Sequence, residues 1–117
     1  MKLKIAILPG DGIGPEVTNE SIKVLNCIAK KFNHDVEMST GSVGAIAIDQ
    51  HNDPYPDETH KLCSESDAIL FGAIGDPKYD NDPKAKIRPE QGLLKLRKKL
   101  GLYANLRPTK VFDSLLE

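Results

Sequence analysis

The sequence predicts an α/β fold with a mainly parallel sheet and flanking helices. Short apolar runs typical of buried strands alternate along the chain with segments of helical periodicity. Strands that alternate with helices are joined by right-handed crossovers, so neighbouring strands run parallel. The length of 117 residues and the hydrophobic share of 39% are typical of one globular domain.

The first half of the chain begins with a strand and a long helix. Residues 3–8 form an apolar strand, which we expect to be buried and to end at a Pro-Gly turn. A helix is expected from Pro15 to about Phe32, because Pro15 suits the first helical position. Apolar residues recur along it at helical spacing: Val17, Val24, Leu25, Ile28 and Phe32. Residues 35–40 make a second strand, and a glycine-rich connection with the apolar run 45–48 follows.

The second half continues the alternation. A short helix is expected over 56–64 and a strand over 67–72, whose continuous apolar run suits a strand covered on both faces. A long polar loop spans 75–89, and loops of this length are usually functional or mobile. A helix over 89–100 and a strand-like run over 103–112 complete the pattern.

The predicted sheet is small for an independent fold. Two or three parallel strands with their helices leave exposed sheet edges and bury a core poorly. The last strand-like run also ends almost where the chain ends. We therefore expect the chain to be part of a larger fold.

Charge and composition exclude several classes of partner. The formal net charge is -1, from 16 basic and 17 acidic residues, and no block of like charges is present. Neither nucleic acid nor an acidic membrane surface is expected as a partner. No apolar stretch approaches the roughly 20 residues of a membrane span, and no secretory signal precedes the first strand. Cys27 and Cys63 share no motif, so we expect reduced thiols in a cytoplasmic protein.

A glycine-rich turn follows the first strand. Gly10, Gly12 and Gly14 surround Asp11 and invite comparison with the dinucleotide-binding fingerprint G-x-G-x-x-G. The third glycine falls one place early, and Pro15 occupies the position that the motif reserves for glycine. A Rossmann phosphate loop is therefore disfavoured. A tight turn explains the glycines, although they also suit a backbone packed close to a ligand.

The most informative segment is the predicted helix over 89–100. Glu90, Leu93, Leu94 and Arg97 follow helical spacing and share one face, which carries a carboxylate, apolar groups and a guanidinium. Such a face suits a ligand better than a core, but an ordinary surface helix would also accommodate it. Leu96 and Leu100 form a separate pair better suited to the core.

A second arginine lies ten residues further on. Arg107 stands in an otherwise apolar run, where a buried charge must find an anion. Arg97 and Arg107 could together clamp a dicarboxylate, which lysine would do less well. A salt bridge to an acidic side chain is the alternative for each.

Four segments resemble a known family. Residues 8–16 (LPGDGIGPE) are similar to the N-terminal signature of the β-decarboxylating dehydrogenases, the isocitrate/isopropylmalate dehydrogenase family. Residues 71–80 (FGAIGDPKYD), the segment 88–98 and residues 102–108 (LYANLRP) look specifically like its 3-isopropylmalate dehydrogenase branch. The resemblance runs through the whole chain, with its motifs in the right order.

The resemblance implies a two-domain α/β fold that binds NAD without the Rossmann motif. It also implies oxidative decarboxylation of 3-isopropylmalate in leucine biosynthesis, assisted by Mg or Mn, in a homodimeric full-length protein. Residues 1–101 would belong to the first, cofactor-side domain and residues 102–117 would begin the second. The family's catalytic tyrosine and lysine and its metal-binding aspartates would lie beyond Glu117, so the chain alone is expected to be inactive.

Site residues carry over onto matching positions. The resemblance implies that Arg97 and Arg107 hold substrate carboxylates and that Leu93 and Leu94 face the isopropyl group. Residues beside the nicotinamide end of NAD would be Ile13, Gly75, Asp76, Pro77, Lys78 and Glu90. Asp76 departs from the glycine of many relatives, and the 75–89 loop is slightly long.

Two alternatives stay open. The apolar pair Leu93 and Leu94 argues against isocitrate, whose extra carboxylate would be left unpaired. Homoisocitrate or tartrate is an alternative substrate for a member of the same family. A non-catalytic ligand-binding module with a flavodoxin-like sheet is the alternative from another class.

Overall fold

A computed structural model of the chain describes residues 1–83 and 85–115 and has an α/β fold, as predicted. Three strands form one parallel sheet in the order β2-β1-β3: β1 (Lys2–Gly10), β2 (Asp35–Thr40) and β3 (Ala68–Ala73). The predicted strands agree closely with these bounds, although β1 runs through the Pro-Gly pair that was expected to end it.

Helices connect and flank the strands. They are α1 (Gly14–Lys31), α2 (Ala45–His51), α3 (Asp57–Ser64), α4 (Pro77–Asp80) and α5 (Glu90–Lys99), followed by a 3-10 turn (Asp113–Leu115). The predicted helices α1, α3 and α5 are confirmed. Among the helices in the described part of the chain, none is long and apolar enough to cross a bilayer.

The core is built around β1. This strand pairs with a neighbour on each side, and its residues 5–8 are at most 9% exposed. Ala6 and Leu8 belong to the main buried cluster, together with Val43, Tyr55, Cys63 and Leu96. Leu100 packs against this cluster, so the predicted core role of Leu96 and Leu100 is confirmed.

The ends of β1 and β3 approach each other too closely for side chains. A Cβ added at Gly10 would lie 1.9 Å from the carbonyl oxygen of Ala73, and one added at Gly14 would lie 2.0 Å from that of Pro9. The backbone N–H of Asp11 donates to the carbonyl of Ala73 at 2.8 Å. Two of the three glycines around Asp11 are thus required by packing within the chain and not by a ligand.

The apolar spacing of α1 does not mark its buried face. Val17, Val24, Ile28 and Phe32 are 44–63% exposed, whereas the fully buried positions are Gly14, Thr18 and Ala29. A helix that lies close against a sheet has room only for small side chains. The larger apolar residues therefore lie on its outer flanks.

Two short helices were not predicted. Residues 45–48, interpreted as part of a connection, begin the helix α2, and the long polar loop contains α4. Both helices are too short for helical periodicity to be visible. Lys84, within that loop, lies outside the described residues.

The strand predicted over 103–112 is wrong. Residues 102–112 have no regular secondary structure, and every side chain over 101–115 is exposed. A strand exists only where a neighbour accepts its backbone hydrogen bonds, and no described strand lies beside this segment. Likewise β3, expected to be covered on both faces, is half-buried at the sheet edge. Residues 116 and 117, the end of the proposed second-domain segment, are not among the described residues.

A matched pair on α5 tests the core assignment. Leu96 is 3% exposed and Leu94 is 66% exposed, two positions apart on one helix. We expect Leu96→Ala to lower the free energy of unfolding by about 2–5 kcal/mol, because it leaves a cavity. Leu94→Ala should change it by no more than about 0.5 kcal/mol. Urea denaturation measures both, and equal losses would contradict the assignment.

Candidate functional site

The candidate site lies at the carboxyl edge of the sheet. Because β1 and β3 are parallel, the turn after β1 and the loop after β3 meet at this edge, where ligands of open α/β sheets bind. A Cβ added at Gly12, the neighbour of Ile13, would lie 3.9 Å from the carbonyl oxygen of Gly75. A Cβ added at Gly75 would lie 3.6 Å from Oε1 of Glu90. The structure thus brings Gly75 and Glu90 close to the turn that contains Ile13. The Ile13 side chain is 61% exposed.

The residues that follow Gly75 cap and form a short helix, α4. Pro77 begins α4, and Asp76 caps it by accepting the backbone N–H of Lys78 at 2.9 Å. This bond gives Asp76, the position of departure from the family pattern, a local structural role. One oxygen of its carboxylate is therefore engaged within the protein.

The side chain of Lys78 is also engaged. Its Nζ lies 2.5 Å from Oδ2 of Asp49 on α2, and the hydroxyl of Tyr79 donates to Oδ1 of the same carboxylate at 2.9 Å. These two hydrogen bonds, first that of Lys78, lower the pKa of Asp49. The same contact raises the pKa of Lys78. Asp49 and Tyr79 had no signal in the sequence, since both lie on the unpredicted helices.

The residues predicted to bind substrate lie on α5 and after it. Leu93 and Arg97 line one open, mostly apolar cleft of about 230 Å³, together with Ile69, Phe71, Leu102 and Ala104. Leu94 is exposed beside this cleft and is not part of its lining. Arg107 lies in the exposed segment that follows.

Neither arginine is neutralised within the described structure. Across residues 1–83 and 85–115, no acidic side chain forms an ion pair with Arg97 or Arg107. The alternative of an internal salt bridge for each is therefore not observed.

The opposite side of α5 is fixed to the segment before α3 and to the first residue of α3. Lys95 pairs with Asp53 at 2.5 Å and Lys99 with Asp57 at 2.7 Å. Burial opposes ionisation of Asp53, but the hydrogen bonds from Lys95 and from the backbone N–H of Tyr55, together with the charge of Lys95, leave the pKa of Asp53 lowered. Gly92 packs on the carbonyl of Pro54, where a Cβ would lie 2.4 Å from the oxygen. These contacts hold the helix so that its Glu90–Arg97 stripe faces away from them.

The described residues do not form a metal site. No group of three or more His, Cys, Asp or Glu side chains in this part of the chain is arranged to hold an ion. The expected Mg or Mn therefore has no ligand set here. The two cysteines are free thiols, Cys27 exposed and Cys63 buried.

The Asp49 contact makes a testable electrostatic prediction. Its folded-state pKa lies below the ordinary value of 3.8, so the ionised carboxylate favours the anchored loop above that pH. The contribution is lost as the pH falls through the lowered pKa. We expect Lys78→Met to raise the pKa of Asp49 towards 3.8, as measured by NMR titration of the carboxyl carbons.

Lys61→Met is the matched control, because Lys61 pairs with Glu65 on another helix at 3.9 Å. It should leave the Asp49 titration unchanged. An Asp49 pKa that does not respond to Lys78→Met would contradict the contact.

Comparison with known proteins gives a consistent result. The profile of the isocitrate/isopropylmalate dehydrogenase family matches residues 4–117. A 3-isopropylmalate dehydrogenase of Bacteroides fragilis is 53% identical over 99% of the chain, and that of Bacillus subtilis is 55% identical over 98%. The chain spans 33% and 31% of these two relatives, about a third of their length.

Two solved structures share the fold. A β-decarboxylating dehydrogenase of Thermococcus kodakarensis matches with a TM-score of 0.65 and 32% identity, over 86% of this chain and 27% of that one. An isocitrate dehydrogenase of Methylococcus capsulatus matches with a TM-score of 0.67 and 27% identity, over 86% and 26%. The chain therefore belongs to the isocitrate/isopropylmalate dehydrogenase family.

Proposed function

We propose that this chain supplies the cofactor-side part of the active site of an NAD-dependent 3-isopropylmalate dehydrogenase. The observation that carries the proposal is the α5 stripe, where Leu93 and an unneutralised Arg97 line one cleft. Relatives more than 50% identical carry the name of this enzyme, which supports the substrate over those of other family members.

The substrate is a small branched dicarboxylate. A guanidinium without an internal partner binds a carboxylate with two parallel hydrogen bonds, and Arg107 supplies a second such group. Leu93 and the exposed Leu94 offer apolar contact to the isopropyl branch. An extra carboxylate, as in isocitrate, would lose its hydration against these leucines without gaining a partner.

The cofactor is NAD, which accepts the hydride from the hydroxyl-bearing carbon. Ile13, Gly75 and Glu90 face it at the carboxyl edge of the sheet. The side chains of Asp76 and Lys78 form hydrogen bonds within the protein. The stretch Asp76-Pro77-Lys78 therefore contributes to NAD binding through its shape and its backbone groups. Glu90 is exposed and offers a carboxylate acceptor for a hydroxyl or amide of the cofactor.

The remaining parts of the enzyme come from polypeptide that this chain does not contain. The Mg or Mn ligands and the proton-transfer groups belong to the segment corresponding to the other two thirds of the relatives. In this proposal residues 1–101 are part of the first domain and residues 102–117 begin the second. The complete enzyme is a cytoplasmic homodimer with no nucleic-acid or membrane partner.

A chimaera tests the function directly. Residues 1–117 replace the corresponding third of the Bacillus subtilis relative, and NADH formation is followed with 3-isopropylmalate, isocitrate, homoisocitrate and tartrate. We expect turnover with NAD and 3-isopropylmalate, and none by the 117-residue chain alone. Preference for another of these acids would assign the chain to a different family member. Ligand binding by the chain alone, with an inactive chimaera, would favour the non-catalytic module.

Arg97 gives a sharper prediction within the chimaera. Arg97→Lys keeps the charge but loses the bidentate hydrogen bonding of a guanidinium to a carboxylate. Because a hydrogen bond to a charged group is worth about 1.5–3 kcal/mol, the KM for 3-isopropylmalate should rise roughly 10- to 100-fold. The KM for NAD should stay within about twofold, because the cleft lies on the substrate side.

Lys98→Arg, at the adjacent exposed position, is the control and should change neither constant. An unchanged KM for 3-isopropylmalate in Arg97→Lys would remove Arg97 from the substrate site.

A further inference from the structure

Asp11 is a buried carboxylate that binds only backbone groups. The residue is 6% exposed, and its Oδ2 accepts the N–H of Ala45 at 2.8 Å and that of Gly75 at 3.1 Å. Its Oδ1 accepts the N–H of Ile46 at 3.0 Å. No basic side chain among residues 1–83 and 85–115 pairs with it.

The geometry explains why a charge is tolerated there. An ionised carboxylate in a buried position is costly unless hydrogen bonds replace its hydration. Three N–H donors do so here, and two of them open α2, whose first turn favours a negative charge. The charge makes each of these bonds stronger than a neutral one would be.

Asp11 and its donors come from three parts of the chain that are far apart in sequence. Asp11 lies in the turn after β1, Ala45 begins α2, and Gly75 begins the loop after β3. Gly75 has a positive φ of 133°, which residues other than glycine rarely adopt, so its N–H is aimed by an unusual backbone conformation. One carboxylate therefore fixes the start of this loop against both β1 and α2.

We propose that Asp11 is a positioning residue for the cofactor, acting through the loop that Gly75 begins. This inference rests on the function proposed above, since it assigns the loop to NAD. A few residues after Gly75 the same loop is also held by the exposed contacts of Lys78 and Tyr79 with Asp49. The Asp11 bond is the buried anchor, and exposed pairs of the Asp49 kind are individually weak.

Amide hydrogen exchange in the 117-residue chain tests the anchor without any cofactor. In Asp11→Ala we expect exchange over 75–79 to rise at least about tenfold, since a hydrogen bond to a charged group is lost, while β2 stays protected. Thr59→Val is the matched control, because its buried hydroxyl donates to Ser42 at 2.8 Å, away from the loop. It should leave exchange over 75–79 unchanged.

Asp11→Asn keeps the test decisive if Asp11→Ala does not fold. Its single acceptor oxygen can serve both Ala45 and Gly75 only when the amide nitrogen faces Ile46. Exchange should therefore rise most at Ile46 and less at Gly75. No rise at either amide, or an equal rise throughout the chain, would overturn the anchor.

Kinetics of the chimaera separate positioning from a merely structural role. Weakening the anchor should raise the KM for NAD about tenfold in Asp11→Asn and leave that for 3-isopropylmalate within about twofold. Thr59→Val should shift the thermal midpoint without moving either constant. Equal changes in both constants of Asp11→Asn would overturn the assignment to the cofactor. An inactive wild-type chimaera would instead refute the proposed function, and hydrogen exchange would still decide the anchor.

Discussion

The structure depends on the backbone contact between the carboxyl ends of β1 and β3. Gly10 and Gly14 lie against the carbonyls of Ala73 and Pro9 with no room for a side chain, and the Asp11 N–H closes the contact. This approach sets where α1 begins and brings the turn after β1 beside the loop after β3. It also directs the Asp11 side chain to the start of α2. The candidate site is a consequence of this one contact, because its loops leave the sheet from the two joined ends.

The sequence predicts those parts of the fold that are determined locally. Strand β2 and helices α3 and α5 carry their own residue patterns, and a proline precedes each of the two helices, so their bounds follow from neighbouring residues. Helix α2 carries no such local pattern, because the carboxylate that caps it belongs to Asp11, outside this helix. The prediction of a strand over 103–112 is wrong because a local pattern is present without the tertiary partner that it needs. The composition of this segment suits a strand, but a strand also needs a neighbour to pair with.

The residues of the candidate site are also predictable from the sequence only where local patterns determine them. Glu90, Leu93 and Arg97 follow from helical spacing on α5, and the family resemblance independently singles out the same positions. The engagement of Asp76 and Lys78 within the protein depends on α4 and on Asp49, which only tertiary structure brings together. In the sequence, Asp11 stands out only as part of a glycine-rich turn. Its hydrogen bonds reach 34 and 64 residues along the chain, beyond any sequence pattern.

The position of β1 has a consequence for folding during synthesis. The strand that leaves the ribosome first occupies the middle of the sheet, and β2 and β3 join its two sides in the order in which they are translated. No later strand has to be inserted between two that have already paired. The nascent chain can therefore build this sheet outward from β1, and in the described part of the chain β2 and β3 each pair on one side only.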